Sequence, residues 1–184
     1  IDAPCSYTPT SGEYIAYIGR LSYEKGYDLL VEVARKHPEI KFRFAGAQRE
    51  QKNTDIPSNV ELAGYLQKDK LLEFIQKARF IVIPSRCYEG FPMAILEAAC
   101  HGKPAIASNH GGFTEIIGQG ENAIGKLFEP GNTDDLDKQI AELWNNQTLT
   151  EELGEKAFRK LKKHYDSEVV YKQWETLFSK LKNS

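Results

Sequence analysis

The chain has 184 residues, with 24 Lys and Arg against 26 Asp and Glu and a formal charge of −2 at neutral pH. Hydrophobic residues make up 41% and aromatic residues 11%, which suits one packed domain and excludes a disordered or fibrous chain. Interspersed charges of both signs supply no field to attract nucleic acid or an anionic membrane, and no apolar run approaches the roughly 20 residues that span a bilayer.

The chain opens on Ile1, and residues 1–12, with Asp2-Ala3-Pro4-Cys5 and Thr10-Ser11-Gly12, are short, polar and proline-bearing. They lack the charged and apolar regions of a leader and read as an interdomain linker, so 13–184 is expected to be one domain of a longer protein. Cys5, Cys87 and Cys100 are odd in number and form no CxxC pair. No disulfide framework is expected, and a reducing cytoplasm is.

Short blocks of β-branched and aromatic residues at Tyr14–Gly19, Ile40–Gly46, Asn59–Gly64, Phe80–Pro84, Pro104–Ser108 and Ala123–Phe128 each read as a strand. Helical spacing falls between them, with Leu29, Leu30, Val33 and Ala34 after the first block and Leu71, Leu72, Ile75 and Ala78 before the fourth. The alternation predicts an α/β domain: a doubly wound, Rossmann-like parallel sheet of about six strands, covered by helices on both faces. Further helices follow the last strand. One carries Leu136, Ile140, Leu143 and Trp144, and the next opens at a Thr148/Glu151 capping box and carries Leu149, Leu153, Ala157 and Leu161. The last, capped by Ser167, aligns Val170, Trp174, Leu177, Phe178 and Leu181 on one stripe. The run Arg159-Lys160-Leu161-Lys162-Lys163 reads as the solvated side of the middle helix.

Ligands of open parallel sheets bind beyond the carboxyl ends of the strands, where the strand order reverses. In the commonest six-strand order that point lies between the first and fourth strands. The loops that follow those strands here are Gly19-Arg20-Leu21-Ser22-Tyr23-Glu24-Lys25-Gly26 and Ser85-Arg86-Cys87-Tyr88-Glu89-Gly90-Phe91-Pro92. Arg20 and Lys25 suit an anion such as a diphosphate, with surface ion pairing as the plainer reading. In the second loop Gly90 allows close backbone approach and Pro92 opens a helix. Glu97 lies among Ala94, Ile95, Leu96, Ala98 and Ala99, where a carboxylate needs a fixed partner. Vicinal hydroxyls of a ribose, or a buried lysine, would serve. Gly118-Gln119-Gly120-Glu121-Asn122-Ala123 follows a helix and leads into a strand, the reverse of a dinucleotide fingerprint, and reads as a turn. His37, His101, His110 and His164 show no metal spacing and read as surface or capping residues.

Taken together, these residues resemble the C-terminal, donor-binding half of a retaining GT-B glycosyltransferase of the family 4, group 1 type. Gly19-Arg20-Leu21 with Glu24-Lys25-Gly26 is similar to that family's GRL..EKG loop. Pro84-Ser85, Glu89-Gly90-Phe91-Pro92 and Glu97-Ala98 are similar to its PS...EGFP....EA segment, the E-x7-E signature, and Gly102-Lys103-Pro104 and Gly111-Gly112-Phe113-Thr114-Glu115 continue the order. Thr114 stands where the family commonly has proline.

The resemblance implies that Arg20 and Lys25 hold the donor diphosphate with the amides of Met93 and Ala94. It implies that Glu89, the catalytic candidate, faces the donor sugar with Gly90, Phe91 and Pro92, that Glu97 binds the ribose, and that the turn at Tyr65 and Leu66 reads the nucleobase. It implies a nucleoside diphosphate sugar as substrate, no cofactor and no essential metal. The acceptor, a saccharide or a lipid-linked one, would be bound by an N-terminal domain absent from this chain, which would also make any membrane contact. The fragment alone would be inactive. A nucleotide-sugar epimerase of the same fold and a noncatalytic nucleotide-binding module are the alternatives.

Overall fold

A computed structural model describes residues 5–8, 12–48 and 55–182. The expected linker over 1–12 is therefore described only at residues 5–8 and 12, and the rest of it lies outside the described residues. Six strands, β1 (Tyr14–Ile18), β2 (Phe42–Ala45), β3 (Val60–Gly64), β4 (Ala78–Ile83), β5 (Ala105–Ser108) and β6 (Gly125–Phe128), form one sheet in the order β3-β2-β1-β4-β5-β6. Every neighbouring pair is parallel, with Ala16 beside Ile81 and Tyr17 beside Val82 where β1 meets β4. All six expected strands form, each trimmed by a residue or two at its ends except β4, which begins earlier at Ala78.

The helices are α1 (Tyr27–Lys36), α2 (Lys68–Lys77), α3 (Met93–Ala99), α4 (Gly111–Ile117), α5 (Thr133–Asn145), α6 (Gln147–His164) and α7 (Ser167–Lys182). Alternation along the central strands divides the core between the two faces of the sheet. Ile15, Tyr17, Phe80 and Val82 face α1 and α5, whereas Tyr14, Ala16, Ile81 and Ile83 face α2, α3 and α4. Phe42, Phe44, Phe80 and Phe128 are almost fully enclosed, and each such ring contributes roughly 1.5–3 kcal/mol.

Several local expectations give way to tertiary packing. Ala78 belongs to β4, and α2 buries Phe74 and Ile75. The cap of α6 is Asn146, whose side chain accepts from Leu149 N–H, so Thr148 lies inside the helix. Before α7 it is Asp166, and not Ser167, whose carboxylate accepts from Glu168 N–H at 3.1 Å. The Asn amide oxygen and the Asp carboxylate reach the free first-turn amides from the residue just before each helix. The basic run is largely solvated as expected, with Leu161 buried and Lys160 donating to the Ile116 carbonyl at the end of α4. Helix α7 buries no residue, and its stripe from Trp174 through Leu177, Phe178 and Leu181 is 47–64% exposed.

The expectation of no disulfide is overturned: Cys5 and Cys100 are joined, with Cα atoms 4.7 Å apart at a sequence separation of 95. Spacing could not reveal this, because the pairing is made by the fold bringing the N-terminal segment against the end of α3. His101, read as a surface or capping residue, is also 1% exposed. No helix among the described residues is long and apolar enough to cross a membrane.

Candidate functional site

The strand order reverses between β1 and β4, and the two loops named from the sequence leave the sheet there side by side. A cavity of about 110 Å³ opens between them, lined by Tyr17, Ile18, Gly19, Lys25, Ile83, Glu89, Pro92, Met93 and Ala94. The site begins at Gly26, which takes φ +70° between a 3-10 turn (Tyr23–Lys25) and α1. A Cβ there would also meet the Pro84 carbonyl, with its carbon at 2.7 Å. Only glycine satisfies both the left-handed backbone and the close approach of the second loop.

Two charges meet in the cavity wall. Lys25 Nζ donates to Glu89 Oε1 at 2.7 Å, and both side chains are largely enclosed, at 21% and 23% exposure. Burial works against the Lys25 ammonium, but the hydrogen bond and charge of Glu89, with Cys87, outweigh it and hold the lysine above its ordinary pKa. Arg20 pairs with Glu24 at 3.4 Å, with both side chains about two-fifths exposed. The plainer reading holds for Arg20, which pairs with a carboxylate, but not for Lys25, which is largely enclosed rather than a surface residue and whose partner is itself a site candidate. Beneath them, Tyr17 Oη donates to the Arg20 carbonyl at 2.6 Å, and burial first, then nearby Glu89, Asp28 and Glu24, raises its pKa.

Helix α3 begins at the cavity. Within the helix, the first-turn amides of Met93 and Ala94 have no acceptor four residues back. Glu97 lies one turn on, on the face of Met93. It has no hydrogen bond or ion pair among the described residues, and burial raises its pKa. The buried-lysine alternative therefore finds no support. Tyr65 is 70% exposed at the end of β3, Leu66 packs against the core, and neither lines the cavity. Nor do Arg20, Gly90 and Phe91, whose ring lies 5.8 Å from that of Tyr165 at the end of α6.

Residues given no site role from the sequence hold the second loop in place. Arg86 grips the Asp28 carboxylate of α1 with two hydrogen bonds of 2.7 and 2.8 Å and lies over the Tyr23 ring, while its backbone N–H reaches the Glu24 carbonyl at 2.8 Å. On the other side His110 Nε2 lies 3.0 Å from the Ser85 carbonyl; a carbonyl only accepts, so Nε2 carries the proton. Gly112 N–H donates to the Glu89 carbonyl at 2.8 Å. Arg86 and Asp28 stand 58 residues apart, so no local signal could have paired them.

Residues 6–160 match the family model described as Glycosyl transferases group 1. The chain belongs to that family. Within it the chain is 35% identical over 145 residues to the uncharacterized glycosyltransferase MJ1178 of Methanocaldococcus jannaschii, covering 76% of this chain and 40% of that protein. Its fold superimposes on sucrose-phosphate synthase from Thermosynechococcus elongatus with a TM-score of 0.81 at 22% identity, over 94% of this chain and 46% of that one. Staphylococcus aureus TarM, solved in complex with Fondaparinux, alpha-GlcNAc-glycerol and UDP, gives 0.77 at 26% identity, over 97% and 37%. The six-stranded group 1 fold is thus that of the GT-B glycosyltransferases. The chain spans less than half the length of the first curated group 1 relatives it matches.

Proposed function

We propose that this chain is the donor-binding half of a retaining glycosyltransferase, which takes the glycosyl group of a nucleoside diphosphate sugar to a saccharide or lipid-linked acceptor. The observation that carries the reading is the convergence of Lys25, Glu89 and the first turn of α3 on one cavity at the switch point of the sheet. UDP bound by TarM, a relative by fold and at 26% identity, supports a nucleotide donor.

In this reading Lys25, Arg20 and the amides of Met93 and Ala94 take the charge of the diphosphate, which is the leaving group. The cations stabilise it as the glycosidic bond breaks, so the reading needs no metal. Glu89 accepts hydrogen bonds from the sugar hydroxyls beside Gly90, Phe91 and Pro92 and orients the ring. Glu97, with no other partner among the described residues, accepts from the vicinal hydroxyls of the ribose, and the Gly64–Leu66 turn meets the base. Lys25 then lies between the diphosphate and the carboxylate that holds the sugar, and its contact with Glu89 fixes both.

The acceptor site belongs to a second domain, as the greater length of the relatives suggests. The exposed stripe of α7 supplies an apolar surface on which such a domain would pack. Calorimetry of this chain with UDP, GDP and ADP, their sugar conjugates and the matching nucleosides tests the reading. One diphosphate series should bind at least about tenfold more tightly than its nucleoside, a difference of about 1.4 kcal/mol, with or without chelator. Equal binding of nucleoside and diphosphate, or no binding of either, refutes it.

A further inference from the structure

Residues 5–8 lie across the turn between α3 and β5 and are fastened there by few noncovalent contacts. Thr8 N–H and Oγ1–H both donate to the His101 carbonyl at 3.1 Å. His101 Nδ1 lies 3.0 Å from the Ser6 carbonyl and so carries the proton, which leaves its buried Nε2 without a partner. Tyr7 lies against Gly102, where an added Cβ would stand 2.5 Å from the ring, and meets Phe158 of α6 edge-on at 5.6 Å. Hydrogen bonds of this kind are individually weak once competition with water is counted. Ser6 Oγ also lies 3.4 Å from His101 Nδ1, and the Cys5–Cys100 disulfide adds a covalent attachment.

The two sulfurs differ in access: Cys100 is 2% exposed, whereas Cys5 is only partly covered. Burial lowers the His101 pKa, opposed by the hydrogen bond to the Ser6 carbonyl and aided by the charge of Lys103. Of the strap's residues only Cys5 packs against the large apolar cluster beneath, which is otherwise built from the sheet and helices. The fold therefore does not depend on the strap, but the strap depends on the bond.

We propose that Cys5 and Cys100 are a thiol–disulfide switch that fastens residues 5–8 to the back of α3 when oxidised and frees them on reduction, with the domain still folded. A dithiol reductant supplies the two electrons. Its thiolate attacks the accessible Cys5 sulfur, forming a mixed disulfide as the Cys5–Cys100 bond breaks, and Cys100 leaves as a thiolate that takes a proton. The reductant's second thiol then closes its own disulfide and releases Cys5. Because Cys100 caps α3, whose first turn lines the cavity, the switch attaches or releases residues 5–8 at the far end of the site helix. This inference does not depend on the glycosyl transfer reading.

The test is thiol counting by alkylation and mass spectrometry, with amide hydrogen exchange, on the 184-residue chain before and after dithiothreitol. One reactive thiol, Cys87, is expected in the oxidised chain and three in the reduced chain. Reduction should speed exchange at Ser6, Tyr7 and Thr8 by about tenfold or more, as expected for a locally released segment, while β1, β4 and β5 keep their protection. The Cys5→Ser and Cys100→Ser variants should match the reduced chain and ignore dithiothreitol. Three reactive thiols after treatment with oxidised glutathione, unchanged exchange at residues 6–8 on reduction, or loss of protection throughout the sheet would each overturn the proposal.

Discussion

Glu97 gives the sharpest test, because its proposed function and its cost to the fold act in opposite directions. Its carboxylate is half-buried on α3, finds no partner among the described residues, and has its pKa raised by burial. A raised folded-state pKa means that the folded chain holds this proton more tightly than the unfolded chain does. Its contribution to stability is present below the unfolded value and is lost as pH rises through the folded value. At neutral pH the ionised Glu97 therefore burdens the fold, and Glu97→Gln, which is neutral and of the same shape, relieves that burden. Partial solvation limits the effect to about 0.5–1.5 kcal/mol, or roughly 1–6 °C in Tm for a chain of this length.

Binding should move the other way. Loss of a charged acceptor for two ribose hydroxyls costs about 1.5–3 kcal/mol, roughly 10- to 150-fold in Kd. The 2′,3′-dideoxy analogue should bind both proteins alike. Thermal unfolding at pH 7 and pH 5 and calorimetry with the two nucleotides decide it: Tm should rise in the variant at pH 7, and the gain should shrink at pH 5. A lower Tm at pH 7, or an equal loss of affinity for both nucleotides, would refute the hydroxyl-binding role.

The paired cations should separate by burial. Lys25→Ala should weaken a nucleoside diphosphate by about 1.5–3 kcal/mol, and Arg20→Ala, more exposed and paired with Glu24 at 3.4 Å, by about 1 kcal/mol, with the nucleoside little affected in calorimetry. Lys25→Ala also strands Glu89, so the Lys25→Ala, Glu89→Gln double variant should recover part of the lost Tm; a Tm that falls further would mean that the two residues act independently. Gly112→Ala should cost about 1–3 kcal/mol in denaturant unfolding and weaken the sugar conjugate more than the free diphosphate. The new Cβ would stand 2.9 Å from the Glu89 carbonyl oxygen and the Gly90 carbonyl carbon and push the loop away from α4.

The sequence by itself determined the six strands, their parallel arrangement and the crevice that holds the site. Strand identity is written in local patterns such as Phe80-Ile81-Val82-Ile83, whose unbroken apolar run suits only a strand covered on both faces. Parallel order then follows from the helices between strands, and the switch point between β1 and β4 follows from that order. Glycines and cations at the two strand ends could be named because the loops that follow buried strands are short. The α7 stripe was legible because the helical period is local to the sequence, whether or not the face is covered.

Tertiary structure decided which of these residues meet. Lys25 and Glu89 are 64 residues apart, and their ion pair exists only because the turn before α1 and the loop after β4 converge. Arg86 with Asp28, His110 with the Ser85 carbonyl and Cys5 with Cys100 are long-range pairs of the same kind. Each depends on the direction of a side chain after the sheet has assembled, and no periodicity encodes that. Burial of His101 and Lys103 in a turn between helix and strand was hidden for a further reason. His101 reads as a surface or capping residue until a distant segment, residues 5–8, is laid across it.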